Sequence, residues 1–305
     1  MAKLLLAPLI HVKGNKPPIV DFVVSGAWSG TLDFFSLFIL FIVIVSTLQP
    51  LLQARYQQMQ RARQIAAIEK ERGSRVITMI HRQETRWLFS VPVSRMIDLE
   101  DAQQIIPAIK ETPADTPIDL ILHTPGGMVL AAMQIARAVN AHPAKVTVHV
   151  PVYAMSGGTL IALAADEIVM DSFSVLGPID PQLAGLPAAS FVEVRAVKPI
   201  AEVNDLTLIF ASLGEKALKQ LKSGALELLA DKMPEDQGKS LVEKLAGGKW
   251  THDYGLTATE AQGLGLNVTA GIPPSILALM QLYPQPVRQS PSIEFLPHVP
   301  AKRSA

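Results

Sequence analysis

The sequence predicts an α/β domain with parallel strand pairing, preceded by one membrane-crossing helix. Three observations predict it. From Arg75 onward, short β-branched runs alternate with amphipathic helical stretches, the pattern of parallel strands joined by crossover helices. Two of these runs end in glycine turns, Thr124-Pro125-Gly126-Gly127 and Ser156-Gly157-Gly158. The stretch Phe34–Leu48 holds no charged residue.

Composition narrows the classes. At 305 residues the chain has room for two domains or one large one, at about 150 residues each. Hydrophobic residues make up 49%, enough for a large core. Lys and Arg number 27, as do Asp and Glu, so the formal charge is zero and no basic field draws nucleic acid. The chain has no cysteine, which removes disulfides, thiol catalysis and Cys-based metal sites. The seven histidines form no metal-binding spacing. No metal or organic cofactor is implied.

Residues 1–33 form an N-terminal segment of mixed character, too long for a simple cleaved signal. Residues 34–52 read as a transmembrane helix between Asp33 and Arg55, near the ~20 residues that span a bilayer. Apolar residues cover every helical face rather than one stripe, which favours a span over a buried core helix. Residues 53–74 read as a helical stalk whose charges form a solvated face. Arg55, Arg61, Arg63, Lys70, Arg72 and Arg75 follow the span closely, whereas Lys3, Lys13 and Lys16 lie well before it. The positive-inside rule then places the C-terminal bulk in the cytoplasm.

The catalytic domain is expected over residues 75–283. Val76–Ile80 and Trp87–Val91 read as strands, and Leu99–Lys110 as a helix ended by Pro113 and Pro117. Ile118–His123 is a buried strand, Met128–Val139 a helix with a small-residue face, and Val146–Val152 the next strand. Glu167–Met170 is another strand. Leu206–Leu229 and Glu235–Leu245 read as helices, and Thr257-Ala258-Thr259-Glu260 is a capping box opening a further one. Residues 284–305 form a Pro-rich tail without periodicity.

Ser156 stands where an apolar strand gives way to a small-residue helix. A hydroxyl there lies beside the unpaired N–H groups of a first helical turn, which carry partial positive charge and can hold an oxyanion. The alternative is an ordinary N-cap serine. The Thr124–Gly127 turn bears on the choice. In a parallel sheet both turns fall at the carboxyl ends of strands, where ligands bind. One N–H from Gly126 or Gly127 and one from Gly157 would flank a single acyl oxygen, the arrangement that acyl transfer requires.

These motifs also carry a resemblance. The pattern Thr-Pro-Gly-Gly, then Met-Ser-Gly-Gly-Thr-x-Ile-Ala-x-Ala-Ala-Asp-Glu-Ile-Val-Met, then Leu-Gly-Pro-Ile-Asp-Pro-Gln resembles the ClpP/crotonase superfamily. Within it the chain is most similar to the membrane-bound serine dehydrogenase proteinases, or SDH proteinases, relatives of signal peptide peptidase A and NfeD-type proteases. The resemblance covers roughly residues 75–270 and includes Lys249–Tyr254. It implies a ββα spiral fold, a homo-oligomer, and a membrane-anchored serine endopeptidase that forms an acyl-enzyme. The partners implied are a peptide or protein substrate, with membrane proteins among the candidates, and no nucleic acid. The dehydrogenase in the name finds no support, because no Gly-x-Gly-x-x-Gly follows a strand.

A serine hydroxyl needs a base. Where ClpP carries its histidine, this chain has Asp180-Pro181. The membrane-bound relatives use a lysine further downstream, and by that resemblance Lys198 is the candidate. A lysine serves when burial lowers its pKa, and Phe191–Val197 beside it is apolar-rich. An ordinary surface lysine is the alternative, and Lys216 is the runner-up. His123 reads as a strand-end histidine, and Asp180 as a residue that fixes the Gly177–Pro181 loop. Two other readings stay open: a crotonase-type acyl-CoA enzyme, and an inactive ClpP-like membrane scaffold.

Overall fold

The computed structural model describes residues 34–81, 83–86 and 91–283. The expected N-terminal segment and Pro-rich tail lie outside these, as does the expected strand Trp87–Val91 except for Val91. The chain divides into two compact units, Met1–Tyr56 and Gln57–Ala305. The described part of the first belongs to helix α1 (Phe34–Arg72). This helix is long and apolar enough to cross a membrane, and its most apolar window is entirely exposed.

The second unit begins within α1 and continues through β1 (Arg75–Ile80), a hairpin of β2 (Gln83–Arg86) and β3 (Val91–Ser94), α2 (Leu99–Lys110), β4 (Ile118–His123), α3 (Val129–Asn140), β5 (Val146–Val150), β6 (Tyr153–Ala154) and α4 (Gly157–Leu163). Then come β7 (Glu167–Met170), β8 (Val175–Leu176), a short hairpin of β9 (Gln182–Leu183) and β10 (Leu186–Pro187), α5 (Ala188–Val197) and one 3-10 turn (Ile200–Glu202). The chain ends its described course with α6 (Asp205–Leu229), α7 (Glu235–Ala246), β11 (Leu256–Thr257), α8 (Ala258–Gly263), β12 (Val268–Ala270) and α9 (Pro274–Gln281).

Among the described residues, β1-β4-β5-β7-β12 form one parallel sheet in that order. A smaller sheet runs β11-β8-β6, with β6 parallel to β8. The pairs β5–β6 and β7–β8 each give one strand to each sheet, and β5–β6 is followed by α4. This is the expected ββα repeat. Thr124 joins it by bridging to Ala154 from the end of β4.

Strand alternation divides the large sheet into two faces. Leu120, Leu122, Val148, Val150, Ile168 and Met170 belong to the main core with residues of α2, α3, α4, α6 and α7. On the reverse face, Val76, Ile121 and Val169 pack with Ile68 of α1 and with Ile272, Ile276 and Leu279 at α9. The end of α1 therefore helps to close this core. Ile68 is fully buried. Arg61 donates to the Leu282 carbonyl and lies over the Tyr283 ring. Gln64 donates to the Ser275 carbonyl. The expectation of a merely solvated stalk is corrected here. The spacing of residues 61, 64, 65, 68 and 72 places one stripe of α1 against the sheet.

Asp119 and His149 also lie on this reverse face. Arg72 grips Asp119 through two parallel hydrogen bonds of 2.7 and 2.9 Å. Ser74 donates to the same carboxylate, and His149 Nε2 stands 2.6 Å from it. Burial pushes the Asp119 carboxyl up, but the hydrogen bonds from His149, Arg72 and Ser74 outweigh it and hold it well below the usual carboxylate range. A carboxylate inside the apolar strand Ile118–His123 was the sequence signal for this cluster, since a buried charge needs partners.

Candidate active site

β5 is buried at every residue and delivers the chain to Ser156 through β6. Two backbone hydrogen bonds fix that approach: Thr124 N–H donates to the Tyr153 carbonyl at 3.1 Å, and Met155 N–H to the Thr124 carbonyl at 3.0 Å. Ser156 takes the N-cap position of α4, but its side chain makes no capping hydrogen bond. Its backbone sits at φ 50°, ψ −114°, where an N-cap serine would be extended. Such a conformation costs a non-glycine residue about 1–3 kcal/mol and persists only where the surroundings impose it. Ser156 thus lacks both the hydrogen bond and the extended backbone of an ordinary N-cap serine. Among the described residues, no side chain bonds to its hydroxyl.

The surroundings that impose it include the Thr124–Gly127 turn. Gly126 has φ +101° and lies against Ser156: a methyl group on it would stand 2.7 Å from the Ser156 Cβ and 2.9 Å from the Met155 carbonyl oxygen. Gly127 runs against Ile97, where a Cβ would come within 2.4 Å of the Ile97 nitrogen. Ile97 holds this turn from both sides, donating to the Gly126 carbonyl at 2.7 Å and accepting from Met128 N–H at 2.8 Å. A Cβ built on Gly157 would stand 3.6 Å from the Gly127 nitrogen. The two glycine turns thus meet, as their spacing predicted.

The N–H groups of these turns differ in what they bond. Gly126 N–H donates to Thr124 Oγ1 at 3.2 Å. Gly158 N–H donates to the Met155 carbonyl at 2.7 Å. Those of Gly127 and Gly157 have no acceptor among the described residues. Of the expected donors Gly126, Gly127 and Gly157, the last two therefore keep their N–H groups uncommitted among the described residues.

Lys198 has the surface placement that the sequence left open beside a buried one. It is exposed, at the end of α5, and its side chain makes no hydrogen bond or ion pair among the described residues. Pro199 explains the local geometry: the residue before a proline is driven from helix to extended backbone, and Lys198 sits at ψ 143°. The apolar residues beside it are exposed as well, Val197 at 74% and Ile200 at 72%. Lys216, also exposed, lines a groove of about 860 Å³ between α3 and α6, with Val129, Leu130, Met133 and Lys219. Lys222, on the same helix, is paired with Glu243 at 2.6 Å.

Other polar and charged residues of the unit have structural places. Asp180 is buried, accepts from the Gln182 amide and lies 2.7 Å from His252 Nδ1. It ties the Gly177–Pro181 loop to the Lys249–Tyr254 segment, where the Trp250 and Tyr254 rings stack. Asp166 accepts from Val146 N–H, and Glu167 pairs with Lys145. His123 is buried against the Tyr153 ring at 4.2 Å. Burial, with the nearby His81, pushes it down to about 4. No group of three or more acidic or histidine side chains among the described residues is placed to hold a metal ion. Sequence reasoning passed over His81, which the structure puts against the Thr124 side chain.

Comparison with known proteins adds to this geometry. The family described as ClpP-like SDH-type serine proteinase matches residues 27–305. Two uncharacterized proteins of Methanocaldococcus jannaschii are each 47% identical, one over 281 residues (92% of this chain, 94% of the relative) and one over 264 residues (87% and 89%). Two structures of a membrane-bound stomatin-specific protease are more distant. One is 20% identical with a TM-score of 0.39, covering 60% of this chain and 78% of that one. The other, in complex with a substrate peptide, is 21% identical with a TM-score of 0.40, covering 60% and 74%.

Proposed function

The chain belongs to the ClpP-like SDH-type serine proteinases and is a serine peptidase, and from this premise we propose that Ser156 is its nucleophile and Lys198 its base. The observation that carries the reading is the state of Ser156. It is strained, uncapped and set beside two open N–H groups on Gly127 and Gly157. A serine that merely capped a helix would need none of these.

In this mechanism the Ser156 hydroxyl attacks a peptide carbonyl while the neutral Lys198 amine takes its proton. The carbonyl oxygen becomes an oxyanion held by the N–H groups of Gly127 and Gly157. Removing one such donor costs about 10²–10³ in rate in a serine peptidase. The intermediate then expels the amine half of the substrate, which recovers a proton from the Lys198 ammonium. The acyl half stays on Ser156 as an ester. Water, deprotonated by Lys198, attacks that ester through the same oxyanion and releases the acid.

Lys198 is exposed in the single chain, and so are Val194, Val197, Ile200, Leu206 and Ile209 nearby in sequence. A second copy covering this face would remove water from around the amine, and desolvation favours the neutral form that a base requires. Homo-oligomerisation thus belongs to the proposal. So does membrane anchoring through residues 34–52, with the peptidase unit on the cytoplasmic side and a peptide or membrane protein as substrate.

A fluorophosphonate probe tests the base. Lys198→Ala should lose labelling at neutral pH, while Lys216→Ala keeps it. Retention by Lys198→Ala and loss by Lys216→Ala would transfer the role.

A further inference from the structure

The Thr124 side chain is the link between the glycine turn and a second buried polar group. Thr124 is fully buried, and its Oγ1 accepts the Gly126 N–H at 3.2 Å. The same Oγ1 lies 2.8 Å from His81 Nδ1. His81 is 6% exposed, and its Nε2 lies 3.2 Å from Asp101 Oδ2. Asp101 is itself fixed, because it forms the capping box of α2 with Asp98. The His81 backbone is fixed too, its N–H donating to the His123 carbonyl at 2.8 Å.

One tautomer gives every member of this row a consistent role. With the proton on Nε2, His81 turns its N–H towards the Asp101 carboxylate and accepts the Thr124 hydroxyl at Nδ1. The Thr124 hydroxyl gives its proton to His81 at 2.8 Å rather than to the Gly126 carbonyl at 3.5 Å, and its oxygen accepts from Gly126 N–H. Two hydrogen bonds run in one direction to an imidazole whose far nitrogen faces the Asp101 carboxylate, and bonds aligned in this way polarise and strengthen one another. The tautomer is assigned from the network.

The consequence falls on Gly127. The Gly126 and Gly127 N–H groups are consecutive, and the site needs one of them open and aimed. The Thr124 oxygen removes the first from competition and sets the rotation of the peptide that precedes the second. We propose that Thr124 and His81 are positioning residues of this peptidase, acting through the Gly126 amide to aim the Gly127 N–H at the oxyanion. This rests on the reading of Ser156 as nucleophile and of Gly127 as an oxyanion donor. Neither residue touches the substrate. Their effect is on the rate of the chemical step and not on ground-state binding.

The test uses the full chain in detergent micelles and a fluorophosphonate probe, whose saturation kinetics separate the maximal labelling rate from probe affinity. Thr124→Val keeps the branched shape and removes the hydroxyl. His81→Leu removes the acceptor, and His81→Asn returns an oxygen near the Nδ1 position. The expected result is a fall of about 10–100-fold in maximal rate for Thr124→Val and His81→Leu, with affinity unchanged within about twofold. Thr124→Ser and His81→Asn should recover most of that rate. A purely structural role would lower melting temperature without this split and rescue. Maximal rates within about twofold of wild type in both Thr124→Val and His81→Leu overturn the inference. A Ser156→Ala control separates the two readings: if it labels as wild type does, the nucleophile is wrong. If it is silent while Thr124→Val labels normally, only the positioning role falls. Should Thr124→Val fail to fold, the His81→Leu and His81→Asn pair decides alone.

Discussion

Gly126 and Ser156 touch backbone to side chain across the two glycine turns: a single methyl group on Gly126 would lie 2.7 Å from the Ser156 Cβ. Gly126→Ala therefore meets two penalties. Alanine is strained at φ +101°, and the turn must retreat from Ser156. The expected outcome is a stability loss of about 1–3 kcal/mol and a drop in fluorophosphonate labelling larger than that loss explains. Chemical denaturation and labelling on the same sample check this. Full labelling would mean that the turns need not meet for reactivity.

The last turns of α1 complete the peptidase unit's reverse core, so that unit should extend back past residue 75. Ile68→Ala removes a fully buried side chain from the cluster with Val76, Ile121 and Ile276 and should cost about 2–5 kcal/mol. A chain beginning at Gln57 should melt cooperatively. One beginning at Arg75 should expose apolar sheet, bind a hydrophobic dye and aggregate. Equal melting of the two truncations would remove the structural role given to the helix end.

Arg72 and Asp119 join that helix to the strand that leads to the Thr124 turn. Breaking a buried charge pair from one side typically costs about 3–5 kcal/mol, and Arg72→Met should approach the lower figure because Arg72 is partly exposed. The Asp119 carboxyl is held below its ordinary range. Its stabilisation is therefore present above the unfolded carboxylate pKa of about 4 and lost as pH falls through the folded value. The gap between wild type and Asp119→Asn should narrow on acidification. A gap independent of pH would contradict the charged state assigned to Asp119.

His123 gives a second pH dependence at higher pH. Its folded value is about 4 against an ordinary 6.5, so below the ordinary value the unfolded chain takes up a proton that the folded chain refuses. Folding stability should fall as pH drops from 7.5 to 5, by about 2 kcal/mol from this group, and level off below the folded value. His123→Gln should lose that component. Denaturation curves at the two pH values check it, and identical pH slopes for variant and wild type would refute it.

Much of this was legible in the sequence. Leu99–Lys110, Ile118–His123 and Glu167–Met170 have the bounds that apolar periodicity and flanking turn residues indicate. Ser156 and the facing glycines were legible because strand, glycine turn and helix follow one another at fixed spacing. Which N–H groups stay open was not, since that depends on where the Thr124 hydroxyl points. Helix α5 was missed because apolar residues lie on all sides of it and no strong stripe marks it. The docking stripe on α1 was hidden among charges that read as solvated, although Ile65 and Ile68 interrupt them. The sequence left the burial of Lys198 open, because apolar neighbours do not say whether the chain's own fold or another copy covers them.

The central claim is that Ser156 is the nucleophile, and peptide mapping of a covalent adduct tests it most directly. The full chain in detergent is reacted with a fluorophosphonate at neutral pH, digested and analysed by mass spectrometry. The predicted result is one phosphonylated peptide with the adduct on Ser156, absent from Ser156→Ala. An adduct on another serine, or equal labelling of wild type and Ser156→Ala, would contradict it.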